Sequence, residues 1–325
     1  MLPYIIRRLA IGAVVLVVAS FVVFLLVSLS GDPLAQLKAN PHIPPAVIAQ
    51  RERLLHLNES IFARYWIWVS HMFRGDFGNS IAGYPVGPIL WGKLGVTLRL
   101  VVGATLLSVM FGVGLGVISA RRQYSVVDYS ATFASFVFFS TPVFVVGILL
   151  KQFLAVRVNL AAGKTLLYTL GQQSALLEPS FGSRLLDYTE HTILPVITLT
   201  LVTYPAWSRY QRAEMLDVQN SDYIRLARAK GLSPRRVLVR HILRNALIPV
   251  VTVIGLDTAA IFGGAVVTES VFGWNAMGQF LLTGIQQIDV NVVLAYLMLT
   301  AGIVILFNLL VDIIYGYLDP RIRHA

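Results

Sequence analysis

The chain contains no cysteine, which excludes disulfides, thiolate nucleophiles and cysteine-based metal sites. Charge is scarce as well. Asp, Glu, Lys and Arg make up 13% of the 325 residues, where soluble globular proteins carry about 25%. Apolar residues stand in their place, at 56% of the chain and a mean hydropathy of +0.72, the balance of a membrane protein. Acids are the rarer sign, 16 against 26 basic residues for a net charge of +10. In a soluble chain that excess would point to nucleic acid. In a membrane chain it points first to asymmetry between loops, because short cytoplasmic loops collect Lys and Arg.

Several chemical patterns are also missing. Gly163-Lys164-Thr165 ends like a phosphate-binding P-loop, but the required upstream glycine is replaced by Val158. Gly112, Gly114 and Gly116 lack the last glycine of a dinucleotide fingerprint, which is Val117 here. Gly112 and Gly116 do form Gly-x-x-x-Gly, which lets two helices approach closely. The histidines show no metal-ligand spacing, and no nucleophile and base are arranged together. Nothing in the sequence argues for an enzyme active site.

What is present are long apolar runs. Leu9 to Ser30 is uncharged and, at about 1.5 Å per residue, crosses a hydrocarbon core of about 30 Å. Arg7 and Arg8 precede it, as in a signal peptide, but the run is longer than the core of one, so it is read as an uncleaved first span. Further runs at about Val96–Ala120, Ala131–Val156, Thr192–Trp207, Ala246–Val267 and Val290–Tyr315 give six expected crossings of one membrane domain, 1–325. Arg7, Arg8, Arg121, Arg122, the central loop 209–245, Arg321 and Arg323 then share one side, expected to be cytoplasmic along with both termini. The outer segments 31–95 and 157–191 read as short helices and turns, with Trp66, Trp68 and Trp91 at the interface.

The central loop holds nine basic residues, Arg209, Arg212, Arg225, Arg228, Lys230, Arg235, Arg236, Arg240 and Arg244, against Glu214, Asp217 and Asp222. Tyr223, Leu226, Ala227 and Lys230 fall at helical spacing, so Asp222 to Gly231 predicts a short amphipathic helix. Gly231 suits a left-handed cap, and Ser233-Pro234 supplies an N-cap and first-turn proline for a second helix leading into the fifth span. A rigid projection with Tyr223 and Leu226 as anchors, and Ala227 permitting close approach, suits docking into another protein. Solvated basic helices near anionic lipid are the plainer alternative. A DNA-binding reading is not favoured, because the loop is tethered at both ends and occurs once.

These residues resemble a known family. Tyr4-Ile5-Ile6-Arg7-Arg8-Leu9, Gly31-Asp32-Pro33, Arg74-Gly75-Asp76-Phe77-Gly78-Asn79-Ser80, Ser140-Thr141-Pro142-Val143-Phe144, His191-Thr192-Ile193-Leu194-Pro195, Glu269-Ser270-Val271-Phe272-Gly273-Trp274 and Leu318-Asp319-Pro320-Arg321-Ile322-Arg323 are similar to the B-type permease subunit of oligopeptide and dipeptide ABC importers. Asp222-Tyr223-Ile224-Arg225-Leu226-Ala227-Arg228-Ala229-Lys230-Gly231-Leu232 resembles the peptide-importer form of the EAA motif, with Arg225-Leu226-Ala227 where the general pattern has Glu-Ala-Ala. Asn245-Ala246-Leu247-Ile248-Pro249 places the closing proline five residues beyond the general spacing.

The resemblance implies an all-α membrane protein of the type I ABC importer permease fold, in the plasma (inner) membrane. It implies a coupling helix formed by Asp222, Tyr223, Arg225, Leu226, Ala227, Arg228, Lys230 and Gly231. It further implies a second homologous permease subunit, two ATP-binding subunits that use ATP and Mg, and an extracytoplasmic peptide-binding protein. A gradient-driven secondary transporter or channel is the alternative, and a recruiting anchor a third. Asp257, the acid well inside a span, either lines the pathway or is polar glue to a hydroxyl such as Thr252 or Thr258. Pro142 is expected to kink the third span beside that pathway. Lys151 and Asp312 lie nearer span ends and are expected to snorkel or to meet headgroups.

Overall fold

Helices account for nearly all regular structure in the computed structural model, which describes residues 2–175 and 180–318, and no strand occurs among them. Five helical stretches are long and apolar enough to cross a membrane: Ile6–Leu29, Val86–Arg121, Val143–Ala162, Pro234–Asp257 and Val290–Val311. They belong to α1 (Leu2–Leu29), α5 (Val86–Arg121), α7–α8 (Val143–Leu149 and Val156–Ala162, joined by a π-helical turn at Leu150–Ala155), α11–α12 (Pro234–Arg236 and Arg244–Val271, joined by a π-helical turn at Val237–Leu243) and α14 (Val290–Leu318). The remaining expected crossing, Thr192–Trp207, is the middle of α9 (Phe181–Gln219). At 39 residues this helix runs about 58 Å, and threonines and two internal prolines, Pro195 and Pro205, dilute its apolar run.

One expectation is corrected. The run Ala131–Val156 is not a single kinked span, because the chain breaks between α6 (Val126–Ser140) and α7. Pro142 disfavours helical geometry at the residue before it. Thr141 is accordingly extended at φ −92°, ψ 126°, and Pro142 takes the N-cap position of α7. The carbonyl freed at Val137 accepts the Thr141 hydroxyl at 2.7 Å, so the break is satisfied locally.

Segments 31–95 and 157–191 consist, in their described residues, largely of short helices and turns, together with the ends of longer helices. The first contains α2 (Ala35–Lys38), α3 (Pro45–Leu54) and α4 (Ile61–Met72), and α5 begins ten residues before the expected Val96. The second opens with α8, which ends at Gly163 (φ +65°), and closes with the first turns of α9. Trp66 and Trp91 are exposed, but Trp68 is buried rather than interfacial. The closing Asp319-Pro320-Arg321-Ile322-Arg323 lies outside the described residues, as do the side chains of Thr258 and Asp312.

The chain forms two compact units. One holds the residues up to Thr97 together with Asn275–Ile305, the other Leu98–Trp274 with the described residues from Leu306 onward. In the first, the turn around Ser80 is fixed to the start of α14. Buried Asp289 accepts from the Ser80 hydroxyl (2.6 Å) and the Ile81 N–H (2.8 Å), while Asn291 donates to the Asn79 carbonyl (2.7 Å). In the second, α9 packs against α6, α7 and α12. Gly112 and Gly116 of α5 make room for α9: a Cβ on Gly116 would sit 2.7 Å from the Ser208 carbonyl oxygen, a backbone atom that cannot swing away. Their spacing therefore serves helix packing.

Candidate functional site: the loop between α9 and α12

The loop residues fold as their local chemistry dictates. Asp222–Ala229 forms α10, with Ser221 at the N-cap position and Asp222 in the first turn, where the helix dipole favours an acid. At the other end Gly231 adopts φ +75°. Its N–H reaches the Arg228 carbonyl at 3.0 Å, and the Leu232 N–H reaches the Ala227 carbonyl at 3.4 Å, the paired bonds of a Schellman cap. Ser233 then occupies the N-cap position of α11 without a side-chain bond, Pro234 follows it, and the helix continues through the π-helical turn into α12.

Helix α10 divides by face. Ile224 is fully buried and Ala227 is 7% exposed, packed with Ala120 of α5, Met215 of α9, Val237 and Ile242 of the π-helical turn, and Ala246 of α12. Tyr223 and Leu226 are 46% and 54% exposed, and Asp222, Arg225, Arg228, Lys230 and Gly231 are exposed as well. This corrects one detail. Ala227 faces the chain's own core, where a small residue lets α10 lie close to the π-helical turn, rather than the outside. Ile224, fully buried in that cluster, falls outside the expected stripe, which runs through Tyr223, one position before it, and Leu226, two after it.

Polar contacts join α10 to its surroundings more lightly. Asn245 donates to the Tyr223 hydroxyl at 3.4 Å and to the His241 carbonyl at 2.7 Å. Arg225 and Asp222 approach to 3.2 Å on the open surface, a pair that contributes little. Arg225, Arg228, Lys230, Arg235, Arg236, Arg240 and Arg244 leave the projection strongly basic.

A buried ion pair fastens α6 to α9. The Arg212 Nε and Nη2 donate to the two Asp128 oxygens at 2.7 and 2.8 Å, and Asp128, 2% exposed, also accepts the Tyr124 N–H at 3.0 Å. By sequence, Arg212 is one of the loop's nine basic residues, with nothing to set it apart. Its partner was legible in principle, since Ser125 followed by Asp128 is a capping pattern, and Ser125 does accept the Asp128 N–H.

The two expected pathway residues are placed differently. Asp257 accepts the indole N–H of fully buried Trp207 at 2.9 Å, while the Thr252 hydroxyl turns to the Ile248 carbonyl. Asp257 thus bonds an aromatic ring, and the Thr258 hydroxyl lies outside the described residues. Pro142 marks the α6–α7 break. Lys151 does not snorkel, because its ammonium donates to the Val271 carbonyl at 2.9 Å, at the C-terminus of α12.

Long apolar helices, a break after α6 and a basic helix-turn-helix projection define a multi-pass membrane protein with the permease fold of an ABC importer. Residues 1–89 match the N-terminal component of binding-protein-dependent transport system membrane proteins, and residues 112–324 match the family described as "binding-protein-dependent transport system inner membrane component". The chain belongs to that family. It is 44% identical to the oligopeptide transport system permease protein OppB of Mycobacterium tuberculosis, with 99% of each chain covered. It is 37% identical to the oligopeptide transport system permease protein AppB of Bacillus subtilis over the whole of both. Among solved structures, the inward-facing MetNI methionine ABC transporter matches in fold, with a TM-score of 0.53 at 16% identity, covering 71% of this chain and 96% of that one.

Proposed function

We propose that this chain is the permease subunit of an ATP-driven importer of oligopeptides or dipeptides, and that α10 is its coupling helix. The observation that carries the reading is the division of α10. Its inner face, Ile224 and Ala227, is locked to a helix continuous with α12, while Asp222, Tyr223, Arg225, Leu226, Arg228, Lys230 and Gly231 are displayed outward. A push on the outer face is therefore passed to a spanning helix instead of being absorbed by a loose loop. Peptide as cargo follows from the relatives' names, and inward direction from their likeness as binding-protein-dependent systems.

In this reading the basic loop and both termini are cytoplasmic, in keeping with its charge. The chain pairs with a similar permease, and the path runs between them. Pro142, at a helix break, and Asp257 lie along it. A binding protein delivers peptide from outside, and two separate ATP-binding subunits use ATP and Mg, since this sequence lacks a P-loop of its own. Vesicles provide the test. Labelled peptide is expected to accumulate only when the ATP-binding subunits, the binding protein and ATP are all supplied. Accumulation driven by a proton or sodium gradient with this chain alone would instead establish the secondary transporter.

A further inference from the structure

Between α8 and α9 the described residues 164–175 form a strap across one end of the second unit. None of them is buried, so no apolar anchor fixes the strap. Polar and ring contacts tie it to four surrounding elements instead. The Asn159 side chain of α8 holds the Leu166 and Leu167 N–H groups and the Leu167 carbonyl, each at 2.9 Å. The Tyr168 ring stacks on His191 of α9 at 3.9 Å, and Asp187 of α9 accepts both the N–H and the hydroxyl of Ser174. Arg99 of α5, set between the Tyr188 and Trp274 rings, donates from Nη2 to the Gln172 carbonyl at 2.9 Å. At the end of α12 the Phe272 carbonyl accepts the Gly171 N–H, also at 2.9 Å.

This strap is built to lift. The side chains that it meets, His191, Phe272 and Trp274, are buried, while the Trp274 indole N–H, the Arg99 Nε and the Gln172 Oε1 are buried without partners. Such atoms weaken the closed arrangement, because water satisfies them once the strap is raised. A segment with no buried residue, held by a few polar bonds, opens locally at low cost.

Its hook is on α12. The last carbonyls of a helix need partners from outside it, and here Val271 receives the Lys151 ammonium and Phe272 the Gly171 N–H. The opposite end of α12 is the one packed against α10, through Ala246. A helix of 28 residues, about 42 Å long, therefore joins the projection to the strap.

We propose that 164–175 is a gate strap, which closes the end of the second unit remote from α10 and lifts from Phe272 in each transport cycle, with Arg99 as its latch. This rests on the coupling reading above, since α12 is what carries a push from α10 to the hook.

The test uses cysteines, of which the chain has none of its own. A Cβ on Gly273 would lie 3.3 Å from the Leu170 Cδ2, so Leu170→Cys combined with Gly273→Cys sets two thiols across the hook. In vesicles holding the assembled transporter, with binding protein and ATP, oxidising the pair is expected to stop peptide uptake and reducing it to restore the rate of the unoxidised pair. Each single variant is expected to be indifferent to oxidation. Complete disulfide formation with undiminished uptake overturns the proposal. Wild-type vesicles that take up no peptide would refute the import reading instead. In that case, or if the reduced pair is inactive, amide hydrogen exchange at Gly171 in the assembled complex decides. Arg99→Met removes a charge-assisted bond and is expected to speed that exchange about tenfold, with Arg99→Lys falling between. Equal exchange in the wild type and Arg99→Met rejects the latch and the strap with it.

Discussion

Gly231 concentrates the local demands of the loop between α9 and α12 in one residue. Its φ of +75° is a conformation that costs an L-residue about 1–2 kcal/mol, and a Cβ there would meet nothing within 4 Å, so the cost is backbone alone. Gly231→Asn, which tolerates the left-handed region, is expected to keep most peptide-stimulated ATPase in the reconstituted complex. Gly231→Val is expected to lose most of it. Equal activity in the two variants would show that the cap geometry does not matter. This position was legible in the sequence, because a glycine two residues before Ser-Pro, at the end of an amphipathic run, has few other uses.

Asp257 was only half legible. Its place inside a span marked it, but the partner lies fifty positions away on α9, and no periodicity links a carboxylate to an indole at that distance. Asp257→Asn keeps an acceptor for Trp207, while Asp257→Leu strands a buried N–H at a cost of about 1 kcal/mol. Thermal unfolding in detergent is expected to separate the two, with Leu the less stable and Asn close to wild type in transport. Loss of transport in the Asn variant at unchanged stability would mean that the charge itself acts on the path.

Among elements, α6 and α9 are joined by contacts of two kinds. Asp128 and Arg212 form the bidentate pair, and Arg209 lies 5.0 and 4.6 Å over the Phe136 and Phe139 rings. Removing one partner of a buried pair leaves the other uncompensated, a loss of about 3 kcal/mol. Asp128→Ala and Arg212→Ala are each expected to lower stability strongly, and the double variant by clearly less than their sum, as read in a double-mutant cycle of detergent melts. Additive losses would show that the pair does not interact.

Element ends were the least legible feature. Hydropathy marks where lipid stops, not where a helix stops, so α5 and α9 continue past their apolar runs until a cap or a turn ends them. The π-helical turns at Leu150–Ala155 and Val237–Leu243 left no mark in the sequence, since each is a register change within an ordinary helical pattern. The second of them turns Val237 and Ile242 together toward Ile224, and so decides which face of α10 is buried.

At the scale of the molecule, the chain supplies spans and a projection while the energy source lies in other subunits. Composition, span pattern and loop charge were enough to establish the membrane class. The loop's motif pointed to its family, and the division of α10 into an anchored and a displayed face required coordinates. That division is the central claim, and it separates docking from mere integrity. Leu226→Asp alters only the displayed face, so the complex is expected to assemble with unchanged thermal stability while peptide-stimulated ATP hydrolysis falls at least about tenfold, as expected for a desolvated apolar anchor. Undiminished stimulation in a well-folded Leu226→Asp transporter would contradict the account.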